Sequence, residues 1–423
     1  MDKKQQVHIA GWVTPLPAQE LGGMDFCNQE QYDLIADCGI RCMYAIFERS
    51  AVDINGKNAN ERALEYASNA GVSYYVWDNR LKELLEEGDR EKVWAQLEKY
   101  TKFPAFAGIL LKDEPNKEEL SWLVKMQEIW KTYLPEKDAY VNLYPVHVDR
   151  EQCKFKDGDD FWEDYVKVFL QSKQKRLSYD LYPLTCDDDG NPTQQVEFLY
   201  NLEQCAELAK EANVPLWVFI QAMSYSKNHR HPDEAALRWQ IMTSFAYGAK
   251  GLQYFCYFPP IIDDLLLAGD GFVTKEGKPS DVYYNAKKIH QEIFAIEKDY
   301  TRYHYVGVMP LVGTDAVGKN FTYDLLKKPL QSHKRVKSVT GTQDTLVGVS
   351  EDGQGKTALF IVNYCDPYYH QADEVRIQLN GVEKLTAYIG GKKQTVESEN
   401  DVFVFKLQAG DGIFVMLDEE GGE

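Results

Sequence analysis

Eight short apolar runs recur through the first three hundred residues at nearly constant spacing, and this regularity restricts the fold more than any other feature of the chain. The runs, at 7–14, 42–48, 72–78, 106–114, 139–145, 177–183, 215–221 and 251–258, are rich in Val, Ile, Phe, Tyr and Trp and are expected to be strands. Taking Thr14, Glu48, Asp78, Glu114, Pro145, Asp180, Gln221 and Phe258 as their ends, successive gaps are 34, 30, 36, 31, 35, 41 and 37 residues. Each gap fits one strand, one helix and two short loops. Helices are expected near 29–39, 60–70, 90–102, 117–133, 159–174, 194–212, 233–248 and 280–298. In the third of these, Val93, Trp94, Leu97 and Tyr100 fall on one face, as a 3.6-residue period requires. Eight such units predict an α/β protein built as a (β/α)8 TIM barrel over residues 1–305. A doubly wound open sheet is the alternative, but it seldom runs to eight such regular units, and no Gly-x-Gly-x-x-Gly follows the first strand. Unbroken apolar stretches at 106–111 and 216–220 belong to strands covered on both faces, as parallel barrel strands are.

Beyond residue 300 the texture changes. Strand-like runs at 345–350, 357–364, 374–379, 402–407 and 412–417 are separated by turns such as Asp352-Gly353, Asn380-Gly381 and Gly390-Gly391. They predict a C-terminal all-β sandwich within 306–423, with 310–344 as a linker holding a few strands. Across all 423 residues, 47 Lys+Arg stand against 66 Asp+Glu, a net charge of −19 with no long basic run. That balance argues against nucleic acid or an anionic membrane as partner. No run of 18 apolar residues occurs, so no membrane span is expected. The apolar segment after the charged start is too short for a secretory signal, which leaves a cytoplasmic chain or one whose leader has been removed. The 8 cysteines are scattered and are read as free thiols. An oligomer is compatible with this composition.

In a barrel of this kind the working side chains project from the C-terminal ends of the strands. Those ends carry Trp12, Glu48, Asp78 beside Trp77, Asp113 and Glu114, Tyr144, Asp180 and Tyr182, Gln221, and Tyr257. Four of the eight ends bear a carboxylate and most bear an aromatic. Aromatic faces stack on sugar rings, amides and carboxylates bind hydroxyls, and paired carboxyls break glycosidic bonds, so the expected substrate is an oligosaccharide or glycoside. Asp113-Glu114-Pro115 places two acids at adjacent positions, which face opposite ways if the strand continues; Glu114 is the candidate general acid. Asp180, after Tyr179, is expected to orient a sugar, tune Glu114 or supply the second carboxyl. Trp12, Glu48, Trp77, Asp78, Tyr144, Tyr182, Gln221 and Tyr257 are candidate substrate contacts. No cofactor and no metal is expected: Asp187-Asp188-Asp189-Gly190-Asn191 lacks the later acid of an EF-type calcium loop, and His229 and His231 have no carboxylate at ligand spacing.

Two of these segments carry a family resemblance. Asp113-Glu114-Pro115 on strand four resembles the Asn-Glu-Pro of the large retaining glycosidase superfamily, whose Glu is the acid/base. The segment from Gly248-Ala-Lys-Gly-Leu-Gln-Tyr-Phe-Cys-Tyr-Phe258, with Gly269-Asp-Gly-Phe-Val-Thr-Lys-Glu-Gly277 and Tyr284-Asn-Ala-Lys-Lys-Ile-His290, is similar to the eighth unit of family 42-like β-galactosidases. The resemblance implies a barrel glycoside hydrolase with Glu114 as general acid/base. The superfamily's nucleophile is a Glu at the end of strand seven, where this chain has Gln221, and an amide cannot perform that attack. Three readings stay open. Asp180, Glu48 or Asp78 supplies the second carboxylate. Alternatively, the Asp113-Glu114 pair also resembles that of family 20 and family 123 hexosaminidases, which implies Glu114 as the acid and Asp113 orienting a substrate acetamido group that attacks intramolecularly. In the third reading the protein binds carbohydrate without cleaving it.

Overall fold

The computed structural model describes residues 5–17, 25–46, 56–172, 174–224, 226–259, 269–317 and 321–417. Eight parallel strands, numbered one to eight, are His8–Trp12, Cys42–Tyr44, Ser73–Val76, Phe106–Asp113, Asp138–Asn142, Leu177–Tyr179, Leu216–Gln221 and Gly251–Phe255. Strand one pairs with both two and eight. The sheet closes between five and six through a parallel bridge of Leu143 with Tyr179, where the Leu143 N–H donates to the Ser178 carbonyl at 2.9 Å. The protein is therefore an α/β barrel of the (β/α)8 type, as the spacing predicts.

The helices Gln29–Asp37, Ala59–Ala70, Arg90–Thr101, Leu120–Tyr133, Phe198–Glu211, Glu234–Ala246 and Asp281–Tyr300 lie at the expected places. The helix expected at 159–174 is a π turn, Trp162–Val166, running into Lys167–Gln171. One further helix, Asn79–Glu87, is not anticipated by the strand–helix count. Asp78 starts it by accepting a hydrogen bond from the Leu81 N–H (2.9 Å), and Leu81, Leu84 and Leu85 bury its inner face.

Side chains fill the barrel, as its geometry demands. Near the N-terminal end His8 stacks on Trp217, with ring centroids 3.8 Å apart and planes 7° from parallel. Burial drives the His8 pKa down to about 3, so this imidazole is a neutral packing element. Tyr44, Tyr75 and Tyr140 lie above, and Trp12 and Phe219 meet edge-to-face at 5.1 Å beneath the C-terminal mouth.

The last helix of the barrel ends at Tyr300, and the strand His304–Leu311 opens the C-terminal region. A six-stranded antiparallel sheet there contains Thr345–Glu351, Thr357–Asn363, Gly412–Met416 and the hairpin Lys384–Ile389/Lys392–Glu397. It faces a three-stranded sheet of Val336–Thr340, Asp373–Leu379 and Phe403–Leu407 across a core of Val347, Ile361, Ile377 and Phe405. The larger sheet's other face lies on helix Glu234–Ala246, where Trp239 stacks on Tyr364 at 5.1 Å and Gly348 meets the Ala246 carbonyl so closely that a Cβ would come within 2.2 Å. Sandwiched between strand seven and this sheet, that helix is buried all round, which explains its lack of a polar face. No helix among the described residues is long and apolar enough to cross a membrane.

Candidate active site

Strand four delivers both of its terminal acids to one cleft, although adjacent strand residues ordinarily face opposite ways. Two local departures bring this about. The register with strand five shifts between Leu110 and Lys112, and Glu114 leaves the strand with φ at +46°. Positive φ is unfavourable for a residue with a Cβ, and the following Pro115 restricts Glu114 further, so this turn is strained by about 1–2 kcal/mol. It is pinned on three sides. The Glu114 N–H donates to the Asn142 carbonyl at 2.9 Å, Tyr165 donates to the Pro115 carbonyl at 2.6 Å, and Asn116 caps the turn Lys117–Glu119 in a reciprocal capping box.

Asp113, Glu114 and Asp180 together line a cleft of about 620 Å³ at the C-terminal mouth. Trp12, Tyr182, Phe219 and Phe255 supply its aromatic surface, and His147, Asn228 and His229 stand on its polar wall. Glu114 shares a hydrogen bond with Asp180. Burial, then the Asp180 and Asp113 charges, push the Glu114 pKa up to about 10. Burial followed by the Asp180 charge raises Asp113 to about 7, and burial raises Asp180 to about 6 against the opposing pull of its hydrogen bonds. Burial and mutual repulsion hold all three carboxyls above the ordinary range, Glu114 furthest, so the cluster retains protons that isolated acids would lose.

Asn142 holds the two aspartates in place. Its amide N–H₂ donates to Asp180 at 2.8 Å and reaches Asp113 at 3.4 Å, while its carbonyl accepts from the Ser178 hydroxyl at 2.9 Å. Ser178 is held in turn by the Tyr140 hydroxyl (2.7 Å) and the Gln253 amide (2.8 Å). The network follows from strand alternation: Tyr140 and Asn142 on strand five, and Ser178 with the following Asp180 after strand six, point inward together. Reading Tyr144 as the end of strand five passes over Asn142. The available signal was an amide set in the otherwise apolar run Ala139-Tyr-Val-Asn-Leu143. Because Asn142 favours the charged form of both acids, Asn142→Leu is expected to raise their pKa values and move the acidic limb of the pH–rate profile upward by about one unit. An unmoved limb would remove Asn142 from the network's electrostatics.

Of the candidate contacts, Trp12 and Tyr182 line the cleft with the three acids, and Tyr144 lies close enough for the Glu114 charge to raise its phenol pKa after burial does. Three others are engaged elsewhere. Asp78 is buried, caps helix Asn79–Glu87 and accepts from Gln96 (2.6 Å) and Tyr100 (2.7 Å). Trp77 donates to Asn79 at 3.0 Å and carries the Lys82 ammonium over its ring at 3.8 Å. Tyr257 is buried, with its hydroxyl donating to the Gln31 carbonyl at 3.3 Å. Glu48 lies outside the described residues. In the loop after strand six, Asp187 accepts from the N–H groups of Asp189 (3.0 Å) and Asn191 (2.8 Å), so its oxygens close a hairpin turn. His231 lies 3.2 Å from the Asp281 carboxylate, outside the cleft lining.

Gln221 occupies the end of strand seven as a structural clasp. Fully buried, it accepts from the Leu184 N–H (2.9 Å) and donates to the carbonyls of Leu184 (3.2 Å) and Arg230 (2.9 Å). It thereby ties the loop after strand seven to the hairpin Leu184–Cys186/Pro192–Gln194 that walls the cleft. Gln221→Ala leaves those backbone groups unpaired in the interior, and a loss of about 2–4 kcal/mol is expected in denaturant unfolding. A loss under 0.5 kcal/mol would contradict the clasp.

No protein-family model matches the sequence, and no curated protein matches it significantly. Solved structures do match in fold. The α-amylase of Geobacillus thermoleovorans, solved with acarbose, superposes with a TM-score of 0.53 at 10% identity, covering 99% of this chain and 100% of the amylase. A candidate α-galactosidase of Bacteroides fragilis gives 0.50 at 10% identity over 97% of this chain and 79% of that one. The β-galactosidase of the psychrophilic Marinomonas ef1 gives 0.48 at 12% identity over 74% of this chain, which spans 63% of that protein's length. At these identities the likeness is one of fold.

Proposed function

We propose that the protein is a glycoside hydrolase in which Glu114 is the general acid and Asp180 the second carboxyl. One observation carries the reading: three carboxyls from two strand ends meet in an aromatic-lined cleft, where burial and its two acid neighbours push the Glu114 pKa furthest upward. In the proposed step Glu114 protonates the departing glycosidic oxygen while positive charge develops at the anomeric carbon. Asp180, whose hydrogen bonds favour its charged form against burial, faces that charge as nucleophile or as base for an attacking water. Tyr182, part-exposed in the cleft, offers a face for the sugar ring. The names of the amylase and the candidate galactosidase associate this scaffold with carbohydrate, and that association is an analogy of fold.

A second reading is favoured by a specific contact. Glu114 and Asp180 share a hydrogen bond, so the two acids are partners of each other rather than groups set apart on either side of a sugar ring. With Asp113 lining the same cleft, an acetamido-bearing sugar could supply its own nucleophile, held by an aspartate while Glu114 donates the proton. Non-catalytic carbohydrate binding fits less well, since a second carboxyl stands in contact with Glu114 and Gln221 serves the loops. The test is hydrolysis of a panel of aryl glycosides, N-acetylhexosaminides included. Turnover confined to N-acetylhexosaminides selects the assisted route. Turnover of simple hexosides selects a protein carboxylate, and no turnover across the panel sinks the enzymatic reading.

A further inference from the structure

A second concave site lies on the far side of the cleft wall. The hairpin Leu184–Cys186/Pro192–Gln194 pairs Thr185 with Thr193 and Cys186 with Pro192. Thr185 and Cys186 look into the catalytic cleft, Pro192 and Gln194 into a groove of about 350 Å³, and Thr193 lines both. The opposite wall of the groove belongs to the C-terminal β region, through Asp344, Tyr364 and Tyr369. Both volumes fall within the range of about 300–1,000 Å³ usual for small-molecule sites.

The junction is held rigidly. Arg230 donates to the carbonyls of Thr185 (2.9 Å) and Thr193 (3.1 Å) and grips Asp366 of the β region at 3.0 and 3.2 Å, and Gln194 donates to the same Asp366 carboxylate at 3.1 Å. Such a bidentate, part-buried pair fixes geometry as well as charge. Within this frame Tyr369 is 40% exposed and Val196 43% exposed, at a groove whose remaining lining sets Pro192, Ala316, Val317 and Cys365 among hydroxyl, amide and carboxyl groups. A part-exposed tyrosine ring among apolar and hydrogen-bonding groups matches the two-sided character of a sugar ring. The chain's charge of −19 disfavours an anionic occupant.

We infer that this groove is a distal carbohydrate subsite, taking sugar units of the same chain whose scissile bond lies over Glu114, with Tyr369 as its stacking platform. The inference rests on the proposed glycosidase reading and adds to it a preference for oligosaccharides over simple glycosides. Two sites joined by one glycan bind it more tightly than either alone, because the second contact is made at high effective concentration.

The experiment titrates the Glu114→Gln protein calorimetrically with the hexasaccharides and disaccharides of maltose, cellulose, mannan, xylan and chitin types. At least one hexasaccharide is expected to bind ten or more times tighter than its disaccharide. Tyr369→Ala in the same background is expected to reduce that gain about tenfold, while Tyr284→Ala, altering a tyrosine 61% exposed on the last barrel helix, preserves it. Equal affinity of long and short sugars, a gain surviving Tyr369→Ala, or no binding by any hexasaccharide each overturns the subsite. These readouts are independent of turnover. Hydrolysis of aryl glycosides with no chain-length gain would overturn the groove and keep the glycosidase, and the reverse result would do the opposite.

Discussion

Replacing Glu114 by Gln is expected to lower kcat on a glycoside with a poor leaving group by about 10³-fold, within the range supplied by a positioned general acid. The amide keeps the side chain's shape but cannot release the proton that burial and the Asp180 and Asp113 charges retain on the acid. A 2,4-dinitrophenyl glycoside needs no protonation on departure, so its loss should be under about tenfold, and the alkaline limb of the pH profile should vanish. Stability provides an independent reading of the same carboxyl. Its pKa is raised from 4.5 unfolded to about 10 folded, so the folded state binds the proton more tightly between those values. Folding stability contributed by this group is full below about pH 4.5 and declines as pH rises. Glu114→Gln removes that decline, and the variant should be more stable than wild type at pH 8 by about 1–2 kcal/mol, discounting for partial solvent access. Unchanged turnover with both substrates would remove Glu114 from the mechanism.

Asp180→Asn is expected to reduce kcat/KM by a comparable factor of about 10³, for a different reason. The substitution takes away the carboxylate that faces the anomeric centre and one of the charges that raise Glu114. With less repulsion Glu114 ionises more easily, so the alkaline limb moves to lower pH as activity falls. Added azide or formate distinguishes the routes. Rescue with a glycosyl adduct identifies Asp180 as nucleophile or base, whereas failure of rescue alongside turnover of N-acetylhexosaminides points to a substrate acetamido group. Wild-type activity in Asp180→Asn would leave the cleft without its second carboxyl and end the two-acid proposal.

The barrel was legible before any coordinate because each strand–helix unit must bury its own apolar face, and that requirement leaves a local period in the chain. Strand ends at Glu114 and Asp180 were legible for the same reason, since an acid closing an apolar run has few places to go except the rim. Helix Asn79–Glu87 was harder to see. Asp78 at a strand end resembles a site acid, and only its bonds to Leu81, Gln96 and Tyr100 mark it as a cap. Gln221 stands at the end of strand seven, yet its partners Leu184 and Arg230 lie 37 and 9 residues away and are contacts that no periodicity encodes.

What the amino-acid order alone determined is the (β/α)8 architecture, the trailing β region and the short roster of rim acids, because burial of alternating and 3.6-spaced apolar residues is a local demand. The tertiary structure alone decided which acids share a cleft, that Glu114 turns beside Asp113 through a positive φ, and that Asn142 binds two carboxylates at once. Those outcomes depend on closure of the barrel between strands five and six. Closure brings together residues far apart in the chain, and the shared desolvation of their charges exists only once they meet.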